Sequence, residues 1–368
     1  MFKFNFDVEG TDMDPTILGP LLEPSSNSSS SAAGTMQTFR ELTLNELLDA
    51  LPDMISYSPL SFPLSSGRDL TLVRRDLFDA RFQLISEAEE DPDEETSKRE
   101  KISESSLKFV DSPSDLVPGV YEGGLKTWEC ALDLVDYLEN SGARSPTGKV
   151  ILELGCGTAI PSIYLLERLF AQPPTNTGLP MTHIHLQDYN DAVLQLVTLP
   201  NILLNWYMSP ASISFRQSIT SSEVSFPPVD STAPGELPIT SELVAAFQDS
   251  LLAFNISLRF FTGSWETFDL QQSLSLTKEA NRDRTYDMVL TSETIYRVES
   301  LSALIELMRK SVGQHEYQCL VAAKILYFGV GGGVSEFVAR VEGQSGRVET
   351  VWEKSAGVGR KIMQVHWP

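Results

Sequence analysis

The chain is 368 residues long and 42% apolar, enough to bury one large core and still carry extensions. Its formal net charge is −22, from 50 acidic and 28 basic residues; such a surface repels nucleic-acid phosphates and anionic lipid and attracts basic partners, so direct nucleic-acid binding is not expected. Cys130, Cys156 and Cys319 lack C-x-x-C spacing, and His183, His185, His315 and His366 give no helical ligand pair, which argues against a disulfide framework or a metal site.

Met1 to Gly10 carries Asp7 and Glu9 and has no apolar stretch of the kind a signal peptide needs. No run reaches the ~18 apolar residues of a membrane span. A soluble monomer in the reducing cytosol or nucleus is therefore expected. Gly19 to Thr38 is rich in serine and small residues and reads as disordered. Thr43-Leu44-Asn45-Glu46 has capping-box spacing and predicts a short helix through Leu47, Leu48 and Leu51. Leu70 to Leu84, around Arg74, Arg75, Phe78, Arg81 and Phe82, fits either a strand or an amphipathic helix, and Glu87 to Glu95 reads as a solvated acidic tether.

Regular α/β patterning begins near Asp115. It predicts a helix over Trp128–Leu138, strand Val150–Leu154, helix Ala159–Phe170, strand Ile184–Gln187 and a helix from Ala192 interrupted at Pro200. After a proline-rich insertion near 221–238 come helix Leu243–Phe254 and strands Ser257–Phe261 and Met288–Thr291. Helix Leu301–Met308, strand Leu320–Ala323 and a helix from Gly331 through Val341 follow, and the strands Arg347–Trp352 and Ile362–His366 form a terminal hairpin. The fold class is α/β: a doubly wound, Rossmann-like sheet, mostly parallel with one antiparallel strand. Residues 1–114 form an N-terminal extension, largely disordered with short helical or strand elements, and 115–368 form the α/β domain.

Ile151 to Thr158 is where a ligand site is expected. The apolar strand stops at Glu153, and Gly155 and Gly157 turn the chain into a helix whose first amides face the sheet's carboxyl edge. Ile160 stands where a dinucleotide fingerprint needs its third glycine. An acid before the turn repels a pyrophosphate and attracts an ammonium; S-adenosylmethionine has an ammonium, a sulfonium and a ribose, and no phosphate. Asp188, at the end of the next strand, is placed for both ribose hydroxyls or else caps the following helix; the Ala171–Thr182 loop explains its late position. Glu153 can alternatively hold a lysine such as Lys149, and Trp265 can stack on an adenine or simply fill the core. Glu293 and Tyr296 end a further strand at the same edge, as site residues or as a capping pair.

Longer runs carry a narrower likeness: Pro118 to Cys130, Gln187-Asp188-Tyr189-Asn190, Leu199-Pro200-Asn201, Thr291 to Tyr296, and Ala322 to Gly333. Over about Asp115 to Val341, with a weaker echo at Arg74–Gln83, the chain resembles the seven-β-strand (class I) methyltransferases. More closely it resembles the protein-histidine N-methyltransferases of the methyltransferase-like family. The resemblance implies a seven-stranded sheet, S-adenosyl-L-methionine as cofactor, and a basic protein substrate: a histidine of a large-subunit ribosomal protein, methylated on the tele nitrogen.

It implies a cofactor site at Lys126, Thr127, Trp128, Glu129, Cys130, Gly155, Gln187, Asp188, Tyr189, Gly263, Ser264, Trp265 and Ser292, beside Glu153 and Gly157. Ser264 stands where relatives often have an acid. Glu293, or Tyr296 beside it, is expected to accept the substrate ring's N–H and so fix its tautomer. The rival readings are a lysine-directed methyltransferase of the same fold, a non-catalytic ribosome-assembly factor, and, more weakly, an NAD-dependent enzyme.

Overall fold

The computed structural model describes residues 37–89, 124–141, 145–174, 180–219, 224–275, 285–314, 316–327 and 331–368, all within the unit Thr35–Pro368. The serine tract therefore lies outside the described residues except for Gln37 and Thr38. So does the acidic block beyond residue 89, together with the expected boundary near 115.

In chain order the strands are β1 (Arg40–Leu42), β2 (Met54–Pro63), β3 (Asp69–Arg75), β4 (Val150–Leu154), β5 (Thr182–Asp188), β6 (Gly235–Pro238), β7 (Ile256–Thr262), β8 (Met288–Ser292), β9 (Gln318–Lys324), β10 (Arg347–Lys354) and β11 (Arg360–His366). The helices are α1 (Leu44–Asp49), α2 (Leu77–Glu89), α3 (Glu129–Asn140), α4 (Ile160–Phe170), α5 (Leu199–Met208), α6 (Ile213–Ser218), α7 (Ser241–Ala253), α8 (Leu270–Leu274), α9 (Val298–Ser311) and α10 (Val334–Gly343). Among the described residues no helix is long and apolar enough to cross a membrane.

Every residue of β4 and β5 is buried, because these parallel strands are covered on both faces. The main sheet runs β1-β7-β5-β4-β8-β9-β11-β10. Its centre, β7 to β9, is parallel, and β11 is the expected reversed strand, paired with β9 and β10 in a terminal hairpin. Side-chain parity sorts the core into two layers. Ile151, Leu290, Leu320 and Ala322 pack with α3, α4, α5 and α7; Val150, Leu152, Leu154, Val289, Cys319 and Val321 pack with α9 and α10.

Two features depart from the expected seven strands. An eighth strand, β1, joins antiparallel to β7, pairing Arg40 with Thr262, and Arg259 reinforces it with two 2.7 Å bonds to the Glu41 carboxylate. Three residues are too few to leave a periodic signal in the sequence. A second, antiparallel sheet, β3-β2-β6, pairs the N-terminal hairpin with a strand inside the proline-rich insertion. Leu70–Leu84 thus holds both alternatives in turn, strand β3 and then the start of α2. The capping box of α1 is present, with Thr43 and Glu46 exchanging bonds of 2.6 and 3.1 Å.

Pro200 does not break the helical run. A helical turn (Asp191–Val193) and a π-helical turn (Leu194–Thr198) lead into α5, with the proline in its first turn. Having no N–H, Pro200 leaves the Leu196 carbonyl without its usual helical partner. The buried Arg75 guanidinium donates to that carbonyl at 3.0 Å, and also to Asp79 at 2.6 Å and Gln83 at 2.8 Å. One turn further on, Asn205 meets β3 as a neighbouring strand would. Its Oδ1 accepts from Val73 N at 3.0 Å and its Nδ2 donates to Val73 O at 2.6 Å, while Asn201 Oδ1 accepts from Arg75 N at 2.8 Å.

Asn205→Ala leaves both backbone groups of the buried Val73 unpaired and should destabilise the fold by about 2–4 kcal/mol, read as a lower urea midpoint. Destabilisation of only a few tenths of a kcal/mol would show that water replaces the amide there.

Candidate active site

The carboxyl ends of β4, β5 and β7 are joined by one side chain. Gln187 Oε1 accepts from Gly155 N at 3.2 Å and from the Trp265 indole N–H at 2.8 Å, and its Nε2 donates to Gly263 O at 2.8 Å. Gly155 has φ +62°, and a Cβ there would stand 2.6 Å from the Thr294 methyl, so the turn needs glycine on both conformational and steric grounds. Gly157, at φ +50°, leaves a Cβ only 3.1 Å from Gly124 O. The loop before α3 therefore lies across the turn, and Thr127 Oγ1 donates to Thr158 Oγ1 at 3.0 Å; Lys126 belongs to the same loop.

The turn's amides are already engaged. Gly155 N donates to Gln187 Oε1, Cys156 N to Gln187 O at 2.8 Å, Gly157 N to Asp188 Oδ2 at 2.9 Å, and Ser162 N to Glu153 Oε2 at 3.1 Å. A pyrophosphate needs such donors free. The Asp188 carboxyl lies where it would need positive charge.

Asp188 is buried and also accepts from Asn190 N at 3.3 Å, so it braces the glycine turn and the start of the next helix together. Close by, Asn190 Nδ2 is buried without a hydrogen-bond acceptor among the described residues. Tyr189 contributes its backbone carbonyl, which accepts from Gly263 N at 3.3 Å and Thr262 Oγ1 at 3.1 Å. Ser264 N donates to Gln37 O at 2.9 Å. The half-buried Trp265 ring packs on the α9 side of the sheet.

Glu153 departs from the expectation that it attracts an ammonium. Its parity matches Ile151, so it points beneath α4, where Ser162 N and Ser162 Oγ both donate to Oε2. Only 1% of the residue is exposed, and burial raises its pKa to about 8 against the two bonds from Ser162. A carboxyl that keeps its proton at neutral pH offers no fixed negative charge.

A second group gathers at the ends of β8 and β9 and the start of α3. Ser292 closes β8, and Glu293 follows in the left-handed region at φ +58°, a conformation costly for a residue with a Cβ. Its N–H donates to Ala322 O at 2.9 Å, fixing the turn. Glu293 Oε1 is buried without a hydrogen bond, although Lys324 Nζ lies 3.5 Å away as an ion pair. Lys324 Nζ also lies 3.2 Å from Glu129 Oε2 and 4.6 Å above the Trp128 ring. Burial and the neighbouring Glu293 push the Cys130 thiol and the Tyr327 phenol well up, so both stay neutral. Tyr296 lies beside Tyr327, ring centroids 6.3 Å apart.

Of the residues singled out from the sequence, Thr127, Gly155, Gly157, Gln187, Asp188, Tyr189, Gly263 and Trp265 are linked around the glycine turn. Trp128, Glu129, Cys130 and Glu293 surround Lys324. Glu153 belongs to neither group. Pro118–Gly123 and Phe328–Val330, within the motifs, lie outside the described residues. Lys324, Tyr327 and Asn190 were not expected as site residues, although each sits at or just beyond a strand's carboxyl end, the signal that would have found them.

No family model matches the chain. It is 35% identical over 324 residues to a Schizosaccharomyces pombe protein named histidine protein methyltransferase 1, covering 87% of this chain and 84% of that protein. The Saccharomyces cerevisiae protein of the same name is 33% identical over 316 residues, covering 85% and 78%. A Bos taurus homolog is 34% identical over 236 residues, covering 64% and 52%.

The buried Glu153 gives stability a pH dependence with a defined sign. The folded chain keeps this proton up to about pH 8, whereas an ordinary carboxylate releases it near 4.5. The folded state therefore binds the extra proton between these values: the contribution is intact below about 4.5 and is lost as pH rises toward 8, by up to about 1.4 kcal/mol per pH unit. Glu153→Gln keeps the acceptor for Ser162 and should flatten that slope in urea unfolding followed from pH ~5 to ~8. An unchanged slope would place the titrating group elsewhere.

Proposed function

The chain belongs to the histidine protein methyltransferase family, and we propose that it transfers a methyl group from S-adenosylmethionine to an imidazole nitrogen of a histidine in a basic protein substrate, a large-subunit ribosomal protein. The net charge of −22 favours a lysine- and arginine-rich partner. Such a substrate is met in the cytoplasm or nucleus, where ribosomal proteins are made and assembled.

The observation that carries this reading is the Glu293 carboxylate, held by a strained backbone with one buried oxygen lacking a hydrogen bond. A neutral imidazole, with an unperturbed pKa of ~6.5, already has a lone pair on one nitrogen and an N–H on the other. Glu293 Oε1 accepts that N–H, so the opposite nitrogen presents its lone pair, and the carboxylate stabilises the imidazolium as positive charge develops. The cofactor supplies an electrophilic methyl group with a neutral thioether as its leaving group. The protein's task is to hold the nucleophile in line at about 3 Å in a dehydrated setting.

The glycine turn suits this cofactor because the Gly155, Cys156 and Gly157 amides are committed within the protein and the Asp188 carboxyl stands against the turn where a phosphate would need positive charge. In this reading Asp188 takes the ribose hydroxyls, supported by its position against the glycine turn, and the buried Asn190 Nδ2 donates to a ribose oxygen. In the same reading the half-buried Trp265 meets the adenine, and the loop before α3, with Gly124 and Thr127 against the turn, flanks the cofactor.

Incubation with labelled S-adenosylmethionine and large ribosomal subunits or their free proteins, followed by mass spectrometry, should locate the label on a histidine. A label on lysine, or cofactor binding without turnover, would overturn the reading. Glu293→Gln should slow transfer by about 100-fold or more while changing cofactor affinity by less than about threefold; equal turnover would remove Glu293 from the mechanism.

A further inference from the structure

We propose that Lys324 sets the choice of substrate by filling, with its own ammonium, the cation site that a lysine side chain would otherwise enter. This inference rests on the histidine reading above and concerns how the site rejects the commoner basic nucleophile. Two carboxylates and the face of an indole are what an ammonium binds best, and Glu129, Glu293 and Trp128 provide all three. Lys324 Nζ stands among them, 3.2 Å from Glu129 Oε2, 3.5 Å from Glu293 Oε1 and 4.6 Å from the Trp128 ring centroid.

The occupant is fixed in place. The Lys324 side chain is 16% exposed and sits on the last residue of β9, where its backbone N–H donates to the Tyr327 hydroxyl at 3.2 Å. The next residue, Ile325, donates to Gly359 O at 2.8 Å. Burial would lower the pKa of this ammonium, but Glu293 and Glu129 outweigh it and hold the group charged, above the ordinary lysine value.

An incoming lysine ammonium meets a like charge at contact distance and finds both carboxylates already paired. A neutral imidazole meets no such repulsion. It needs only an acceptor for its N–H, and Glu293 Oε1 has an ion pair on one side and no hydrogen bond. Lys324 thus helps in two ways: it pairs with the Glu293 carboxylate that serves as that acceptor, and it excludes the cation. It acts through Glu293 and Trp128 and is a positioning and selectivity residue.

The test uses the full chain with labelled S-adenosylmethionine and total protein extracted from large ribosomal subunits; after acid hydrolysis, methylhistidine and methyllysine are separated and counted. Wild type should yield methylhistidine alone. Lys324→Ala should lose at least about tenfold in methylhistidine, bind cofactor within about threefold of wild type in equilibrium dialysis, and show methyllysine, the entering ammonium passing its proton to the freed Glu129 or Glu293 carboxylate before its nitrogen takes the methyl group. Methylammonium, the head group of a lysine, should restore methylhistidine formation in Lys324→Ala and leave wild type unchanged. Lys324→Met, which fills the space without charge, should show the same loss without the rescue. The proposal is overturned if either variant makes methylhistidine at the wild-type rate, if Lys324→Ala makes no methyllysine, or if methylammonium restores nothing to a Lys324→Ala protein that binds cofactor. Wild type yielding no methylhistidine would instead overturn the histidine reading itself.

Discussion

The side-chain amide of Gln187 bonds to the end of β4 through Gly155 N, to the Trp265 indole, and back to β7 through Gly263 O. One planar group thus ties both neighbouring strand ends and the aromatic ring together just beyond the backbone ladder that spaces the strands. The neighbouring bonds from Asp188 to Gly157 N and from Glu153 to Ser162 N and Oγ extend the same arrangement to the start of α4. Three successive amides of the turn, Gly155 to Gly157, are thereby spoken for. The turn therefore presents bonded amides rather than a nest of free donors, which disfavours a pyrophosphate.

The second half of the site is organised by charge. Glu293 carries an unfavourable backbone conformation, and its buried carboxylate would be costly without the Lys324 ammonium alongside. Strain, burial and an unused acceptor meet at one residue, and the neighbours that tolerate them come from β9 and the start of α3. This is the pattern expected where a fold gives up local stability to hold a reactive geometry. Elsewhere the same chain satisfies its awkward groups, as Arg75 does for the carbonyl that Pro200 leaves open.

Where a residue pattern repeats locally, the sequence was readable. β4, α4 and the terminal hairpin follow from their apolar spacing, and the capping box of α1 from Thr43 and Glu46. The pairings that span long distances were not readable: β1 on β7, and β6 from the proline-rich insertion on β2. Short edge strands are chosen by their partners, and nothing in Arg40–Leu42 or Gly235–Pro238 names a partner. The site divides in the same way. Gly155, Gly157 and Asp188 stand out by spacing along the chain. The orientation of Glu153 depends on strand parity beneath α4, and Lys324 gains meaning only beside Glu129 and Trp128, which arrive from a different part of the sequence.

The pairing of β1 with β7 also bears on how the chain is made. Glu41 and Arg259 are 218 residues apart, and synthesis proceeds at about 5–20 residues per second. The segment that finishes one edge of the sheet therefore leaves the ribosome at least about ten seconds before the strand it must join. β1 therefore waits for β7, and closes on it across a loop of more than two hundred residues, while β8 to β11 on the far side of the sheet are made later still.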